Sequence, residues 1–309
     1  MKFIFSTKSA VLLLFLSFTI SANCQVLTNS QIDSLVQKTM KTFDVPGMAV
    51  AVLKDGKIYH KNTYGVRSIK TNAEVNENTL FGVASNTKAF TTAALAQLID
   101  QGKITWDTKV TDVIPEFKLY DPYVTAEFTI RDLVTHRSGL GLGAGDLMIF
   151  PANNTTTKAE MIHNLRYLKP VSSFRSKFDY DNLLYIVAGE IVARVSGKSY
   201  DDYIAENFFK PLGMDRSLLS IPAIEADNNR IDGHAPVNGK LEITGNTFTQ
   251  LATPAGGIYA SINDMGTWVQ AQLNQGKYGP QLKDSLFSEK NAPRNVDTTN
   301  PVAHWSRAL

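Results

Sequence analysis

Residues 81–99 read Phe81-Gly82-Val83-Ala84-Ser85-Asn86-Thr87-Lys88-Ala89-Phe90-Thr91-Thr92-Ala93-Ala94-Leu95-Ala96-Gln97-Leu98-Ile99. Ala89, Ala93, Ala94, Leu95, Leu98 and Ile99 recur at the spacing of one helix face, and Gln101-Gly102 closes the run as a glycine C-cap does. The helix opens on Ser85-Asn86-Thr87-Lys88. Positions three apart share a helix face, so Ser85 Oγ and Lys88 Nζ can meet in the first turn. A serine hydroxyl is a poor nucleophile until a base takes its proton, and a desolvated lysine is such a base. The Ser85 amide, at the helix N-terminus, also points a free donor at incoming negative charge. Ser-x-x-Lys arises by chance roughly once in 300 average residues, and a solvated Ser and Lys at a helix start is its plain reading. Context gives it weight: it is the only such pattern in the chain, and it opens an apolar helix.

A second apolar run, Leu183 to Val195, is stopped by Gly197, and Tyr180-Asp181-Asn182 stands in the turn before it. Side chains there project from a loop. A tyrosine near a lysine can relay a proton to a leaving group, and an asparagine amide can bind a substrate carbonyl. Asp181 or Asn182 can equally cap the helix, with Tyr180 a staple residue, and the two readings are compatible.

Ser85-x-x-Lys88 followed by Tyr180-x-Asn182 resembles the serine β-lactamase and penicillin-binding protein superfamily, closest to the branch of class C β-lactamases, D-alanyl-D-alanine carboxypeptidases and related esterases. The likeness runs from about Pro46 to Asp264. It takes in Leu133-Val134-Thr135-His136-Arg137-Ser138-Gly139-Leu140, Pro211-Leu212-Gly213-Met214 and Pro254-Ala255-Gly256-Gly257-Ile258. The resemblance implies an α+β, multi-domain chain of the β-lactamase/transpeptidase-like fold, with an antiparallel sheet flanked by helices plus an all-α domain. On that template residues 25–80 and 240–309 form the α/β domain, and 81–239 the mainly helical one. It further implies a serine hydrolase in which Ser85 is acylated, Lys88 and Tyr180 share base and acid duty, and Asn182 positions the substrate amide. The substrate would be a β-lactam, a D-amino-acid peptide or an ester, with no cofactor and no metal.

The family's third motif, Lys or His-x-Gly on a strand lining the site, has no good match. Lys277-Tyr278-Gly279 fits the letters, but between Gly276 and Pro280 it reads as a loop. His304-Trp305-Ser306 lacks the glycine. The expectation is therefore a member truncated at Leu309, either an incomplete gene record or a degenerate copy. The alternative function is a catalytically impaired penicillin- or peptidoglycan-binding remnant.

Toward the N-terminus, Ser30 to Phe43 carries Ile32, Leu35, Val36 and Met40 at helical spacing before Pro46-Gly47 ends it. Met48–Leu53 and Lys57–His60 flank Asp55-Gly56, a strong hairpin signal. Strand signals sit at this front end, helices fill the middle, one more helix begins near Ser261–Asp264, and the residues beyond Gly276 are mostly polar. Residues 1–24 read as a signal peptide: Lys2 and Lys8, then an apolar stretch Ala10–Ile20 of about 11 residues, short of the roughly 20 needed to span a bilayer. Ala22-Asn23-Cys24 suits cleavage before Gln25, with export to the periplasm or medium. A lipoprotein acylated at Cys24 is the lesser alternative, since Asn23 and Ser21 depart from that pattern. Cleavage after Cys24 would leave no cysteine, excluding thiol chemistry and cysteine metal sites.

Composition closes other routes. Hydrophobic residues make up 43% of the 309, and 31 basic side chains face 29 acidic ones. Lys2 and Lys8 account for the excess, so a nucleic-acid partner lacks the cationic surplus it needs. Gly197-Lys198-Ser199 has Val192 where a phosphate loop needs glycine. No Gly-x-Ser-x-Gly elbow occurs. The histidines at 60, 136, 163, 234 and 304 show no metal-ligand spacing, and His136 reads as a structural hydrogen-bonding residue. Asn154-Thr155-Thr156 matches a glycosylation sequon without consequence in a bacterial-type exported chain.

Overall fold

The structure, a computed structural model, describes residues 27–245 and 249–288. The signal-peptide reading and His304-Trp305-Ser306 therefore lie outside the described residues. In chain order the principal elements are α1 (Asn29–Phe43), β1 (Gly47–Lys54), β2 (Lys57–Gly65), β3 (Phe81–Gly82), α2 (Thr87–Asp100), α3 (Ile130–Val134), α4 (Leu183–Ser196) and α5 (Tyr200–Ile204). They continue with β4 (Gly233–Val237), β5 (Lys240–Thr244), α6 (Thr253–Gly256), β6 (Tyr259–Ala260), α7 (Ile262–Leu273), β7 (Lys277–Tyr278) and β8 (Asp284–Ser285).

Thr28 and Gln31 close a capping box on α1, satisfying donors the first turn cannot pair internally. Ile32 and Val36 face inward, but Leu35 is 54% exposed and does not belong to the buried stripe that its spacing predicts. β1 and β2 form an antiparallel hairpin whose turn residues, Asp55 and Gly56, have φ of 50° and 72°. Two left-handed residues give a turn whose twist matches that of the strands. α7 packs across β1.

The core is helical. α2 is buried all round, from Phe90 through Ala93, Ala94, Leu95 and Leu98, as suits a helix enclosed by neighbours rather than lying on a surface. α4 lies against it, with Leu183 to Gly189, Ile191 and Val192 buried. Gly189 allows α6 to cross closely: a Cβ there would sit 2.3 Å from Pro254 Cγ. Near the same end of α2, Phe90 stacks on Trp268 of α7 at 3.7 Å, with Phe208 and Phe209 meeting Phe90 edge-on.

The strand content departs from expectation in two places. β4 and β5 form a second hairpin turning at Asn238-Gly239 (φ 50° and 76°), in a region where the sequence pattern gives no strands. Lys277-Tyr278 is a short strand paired with Asp284-Ser285, and not the loop expected from Gly276 and Pro280. β3 pairs antiparallel with β6, while Leu218 bridges to Tyr259 and Leu80 to Arg230. Among the described residues no helix is long and apolar enough to cross a membrane.

Candidate active site

The chain leaves β3 at Gly82, bends through Ala84 in the left-handed region (φ 47°), makes one 3₁₀ turn over Ala84–Asn86 and enters α2. A non-glycine residue at such a φ costs about 1–2 kcal/mol. Ile258 offsets this by clamping the bend from both sides: its carbonyl accepts the Val83 N–H at 2.9 Å, and its N–H donates to Thr87 Oγ1 at 3.1 Å. Ser85 thus stands half-buried at a strand-to-helix corner, and its own N–H has no acceptor among the described residues.

Lys88 lies one turn later, 6% exposed. Its Nζ donates to Ser85 Oγ at 3.1 Å, Asn182 Oδ1 at 2.9 Å and the Ala255 carbonyl at 2.8 Å. These three acceptors match the three hydrogens of an ammonium. Burial nevertheless pushes the amine down to about 7, against the opposing pull of Asp181 and Asp146.

Tyr180 reaches Ser85 from the far side, with its Oη 2.5 Å from Ser85 Oγ and its ring 4.8 Å from Lys88 Nζ. Burial drives the phenol upward from its ordinary range, only partly countered by the Ser85 contact. Beneath it lies His136, its ring stacked on Tyr180 at 4.5 Å and 25°. The His136 carbonyl accepts the Asp179 N–H at 2.7 Å, and Nδ1 accepts the Asp181 N–H at 3.1 Å. His136 itself sits at φ 55°, and burial holds its pKa near 3. A neutral ring accepting at Nδ1 carries its proton on Nε2. His136 therefore grips residues 179–181 through its backbone, one ring nitrogen and its ring face.

Asp181 is 1% exposed; its Oδ1 accepts the Leu184 N–H at 2.9 Å, capping α4, while Oδ2 has no partner. Burial raises its carboxyl to about 7. Asn182 joins two groups: its Oδ1 accepts from Lys88, and its Nδ2 donates to Asp146 Oδ1 and Oδ2 at 3.3 and 3.2 Å.

Ser85, Lys88, Tyr180 and Asn182 therefore meet in one continuous hydrogen-bonded cluster. Asp146, which no sequence motif singles out, completes it; four glycines at 139, 141, 143 and 145 are the available sign of a specialised loop. Beside Ala84 opens a cavity of about 660 Å³, lined among others by Gly82, Gly256, Tyr259, Ile231 and Arg230. Lys277 makes no hydrogen bond or ion pair with the cluster among the described residues. No group of three or more His, Cys, Asp or Glu gathers among the described residues to hold a metal ion.

This architecture is the β-lactamase/transpeptidase-like fold. The chain belongs to the beta-lactamase family, whose model matches residues 32–305. It is 30% identical over 262 residues to unguisins hydrolase ungD' of Aspergillus campestris, covering 78% of this chain and 46% of that protein. It is 28% identical over 293 residues to protein flp of Staphylococcus aureus (strain COL), covering 91% of this chain and 56% of flp. The chain thus spans about half the length of these curated relatives. Among solved structures, the octameric penicillin-binding protein homologue from Pyrococcus abyssi superposes with a TM-score of 0.72 at 24% identity, covering 86% of this chain and 59% of that one.

Proposed function

We propose that this chain is an exported serine hydrolase working through an acyl-enzyme on an amide or ester: a β-lactam, a D-amino-acid peptide or a simple ester. One observation carries the reading: a half-buried serine hydroxyl lies within hydrogen-bond reach of both a desolvated amine and a phenol. Ser85 Oγ attacks the acyl carbon, and its proton passes to Lys88. Lys88 is the better acceptor because burial lowers the amine to about 7 while it raises the phenol. Tyr180 hands a proton to the leaving nitrogen or oxygen as the acyl–heteroatom bond breaks, and Lys88 restores it. The free Ser85 N–H stabilises the oxyanion. Water then attacks the Ser85 ester with the same groups in reverse. Export rests on residues 1–24 alone.

The test is to incubate the protein with a fluorescent penicillin or a fluorophosphonate and follow intact mass. An adduct on Ser85 that is lost in Ser85→Ala and Lys88→Ala supports the reading, and release of the acyl group on a chromogenic ester or lactam extends it to turnover. An adduct that never turns over identifies an acyl-binding protein instead. No adduct, or normal labelling of either variant, overturns it.

A further inference from the structure

The two most exposed leucines among the described residues stand on the glycine-rich loop: Leu142 is 81% and Leu147 84% exposed. A single exposed leucine is ordinary, but these two share one short loop and have an apolar neighbour. Val171, also exposed, donates its N–H to the Gly139 carbonyl at 2.8 Å, and a Cβ at Gly141 would fall 2.9 Å from Val171 Cγ2. The loop has a firm base. A Cβ at Gly145 would fall 2.4 Å from Leu183 Cδ1, and the carboxylate of Asp146, next to Leu147, accepts from Asn182 Nδ2. The leucines therefore project beside the start of α4, close to the Ser85 cluster.

The charge around these apolar tips has one sign. The whole chain is nearly balanced, 31 basic to 29 acidic, yet residues 137–178 hold six basic side chains against two acids, Asp146 and Glu160. Asp146 is held by Asn182, and Glu160 by Thr157 in a capping box. Neighbouring carboxylates are paired as well: Glu116 with Arg194, Glu127 with Lys109, Asp132 with Arg175 and Asp179 with Lys177. Arg137 and Lys169 make no ion pair among the described residues. Arg137 is fixed by its donation to the Arg175 carbonyl, and Lys169 is exposed two positions before Val171.

We propose that this surface docks the protein on an anionic lipid layer. Leu142, Leu147 and Val171 enter the headgroup boundary, while Arg137 and Lys169 lie against lipid phosphates. A protruding apolar side chain needs no preformed pocket in a fluid bilayer, and the excess of cations finds its complement in the phosphates. Docking of this kind holds the Ser85 cluster at the lipid surface, and it does not depend on Ser85 being a nucleophile.

Cys24 is the one cysteine of the chain, so Leu147→Cys on a Cys24→Ser background carries an environment-sensitive dye at a single place. Leu273→Cys, at the exposed end of α7, gives the control position. Vesicles of phosphatidylglycerol and phosphatidylcholine should shift the dye at 147 to the blue and leave the dye at 273 in place. Phosphatidylcholine alone should need at least about tenfold more lipid for the same shift. Adding Leu142→Ser should raise the lipid required about tenfold, and Lys169→Gln about fivefold, the latter difference fading at high salt. No shift at 147, equal shifts at both positions, equal response to neutral vesicles, or a shift that Leu142→Ser leaves unmoved overturns the proposal. A shift at 147 that follows protein concentration without lipid identifies a second copy as the occupant, and also overturns it.

Discussion

Ser85 separates two unlike regions. On its helical side the polar side chains of the cluster are engaged: Lys88 has three acceptors, and Tyr180 and Asn182 are each held. On its strand side are β3 and β6, two residues each, and an open cavity of about 660 Å³. The first region is made by long helices that bury apolar surface on every side and so position polar groups with little freedom. The second is made by short strands and glycines, which leave backbone accessible and space unfilled. On the proposed mechanism, proton transfer depends on the first and room for a substrate on the second.

If that division holds, damage on the helical side should register in the chemistry first. Lys88→Met should slow acylation of Ser85 by about 10³-fold, within the range of a lost general base, read as p-nitrophenolate release from an activated ester. Tyr180→Phe should cost about 10²-fold by the same assay.

The pH profile sharpens the point. With the neutral Lys88 amine as the proposed acceptor, and burial placing it at about 7, acylation should rise with pH and level off above that value. Asp181 pulls the Lys88 pKa upward, so Asp181→Asn should move the rise toward acid. A profile that stays in place in Asp181→Asn would break the assignment of Lys88 as the titrating group.

Smaller effects fall on stability. Gly189→Ala forces a methyl against Pro254 and should destabilise the fold by roughly 1–3 kcal/mol in urea unfolding. Gly56→Ala at φ 72°, in the β1–β2 turn, should cost about 1 kcal/mol and leave acylation within about twofold, because that hairpin holds no group of the site.

The legibility of the molecule from its sequence divides along the same line. The buried helices announce themselves by continuous apolar faces, and Ser85, Lys88, Tyr180 and Asn182 stand at their starts, where short motifs are easy to see. Strand signals are weaker. Asn238-Gly239 is as good a turn pair as Asp55-Gly56, but β4 and β5 carry His234, Pro236 and Glu242 among their apolar residues, and no clean alternation surrounds the turn. Leu35 shows the converse, an apolar residue at helical spacing with nothing to pack against. Asp146 is hidden because an aspartate in a glycine-rich loop looks like turn chemistry. Its meaning depends on a contact with Asn182, 36 positions away. His136 reads as a hydrogen-bonding residue, and its ring does accept the Asp181 N–H, yet its face against Tyr180 is visible only in three dimensions.

The crossing at Gly189 reaches beyond packing. Pro254, which rests on it, is followed by Ala255, and the Ala255 carbonyl is one of the three atoms that hold Lys88 Nζ. The spacing between two helices therefore acts as a gauge for how far the amine can lean toward the serine. A bulkier residue at 189 would shift the base without touching it, and slower acylation would be the sign of a change made entirely within the hydrophobic interior.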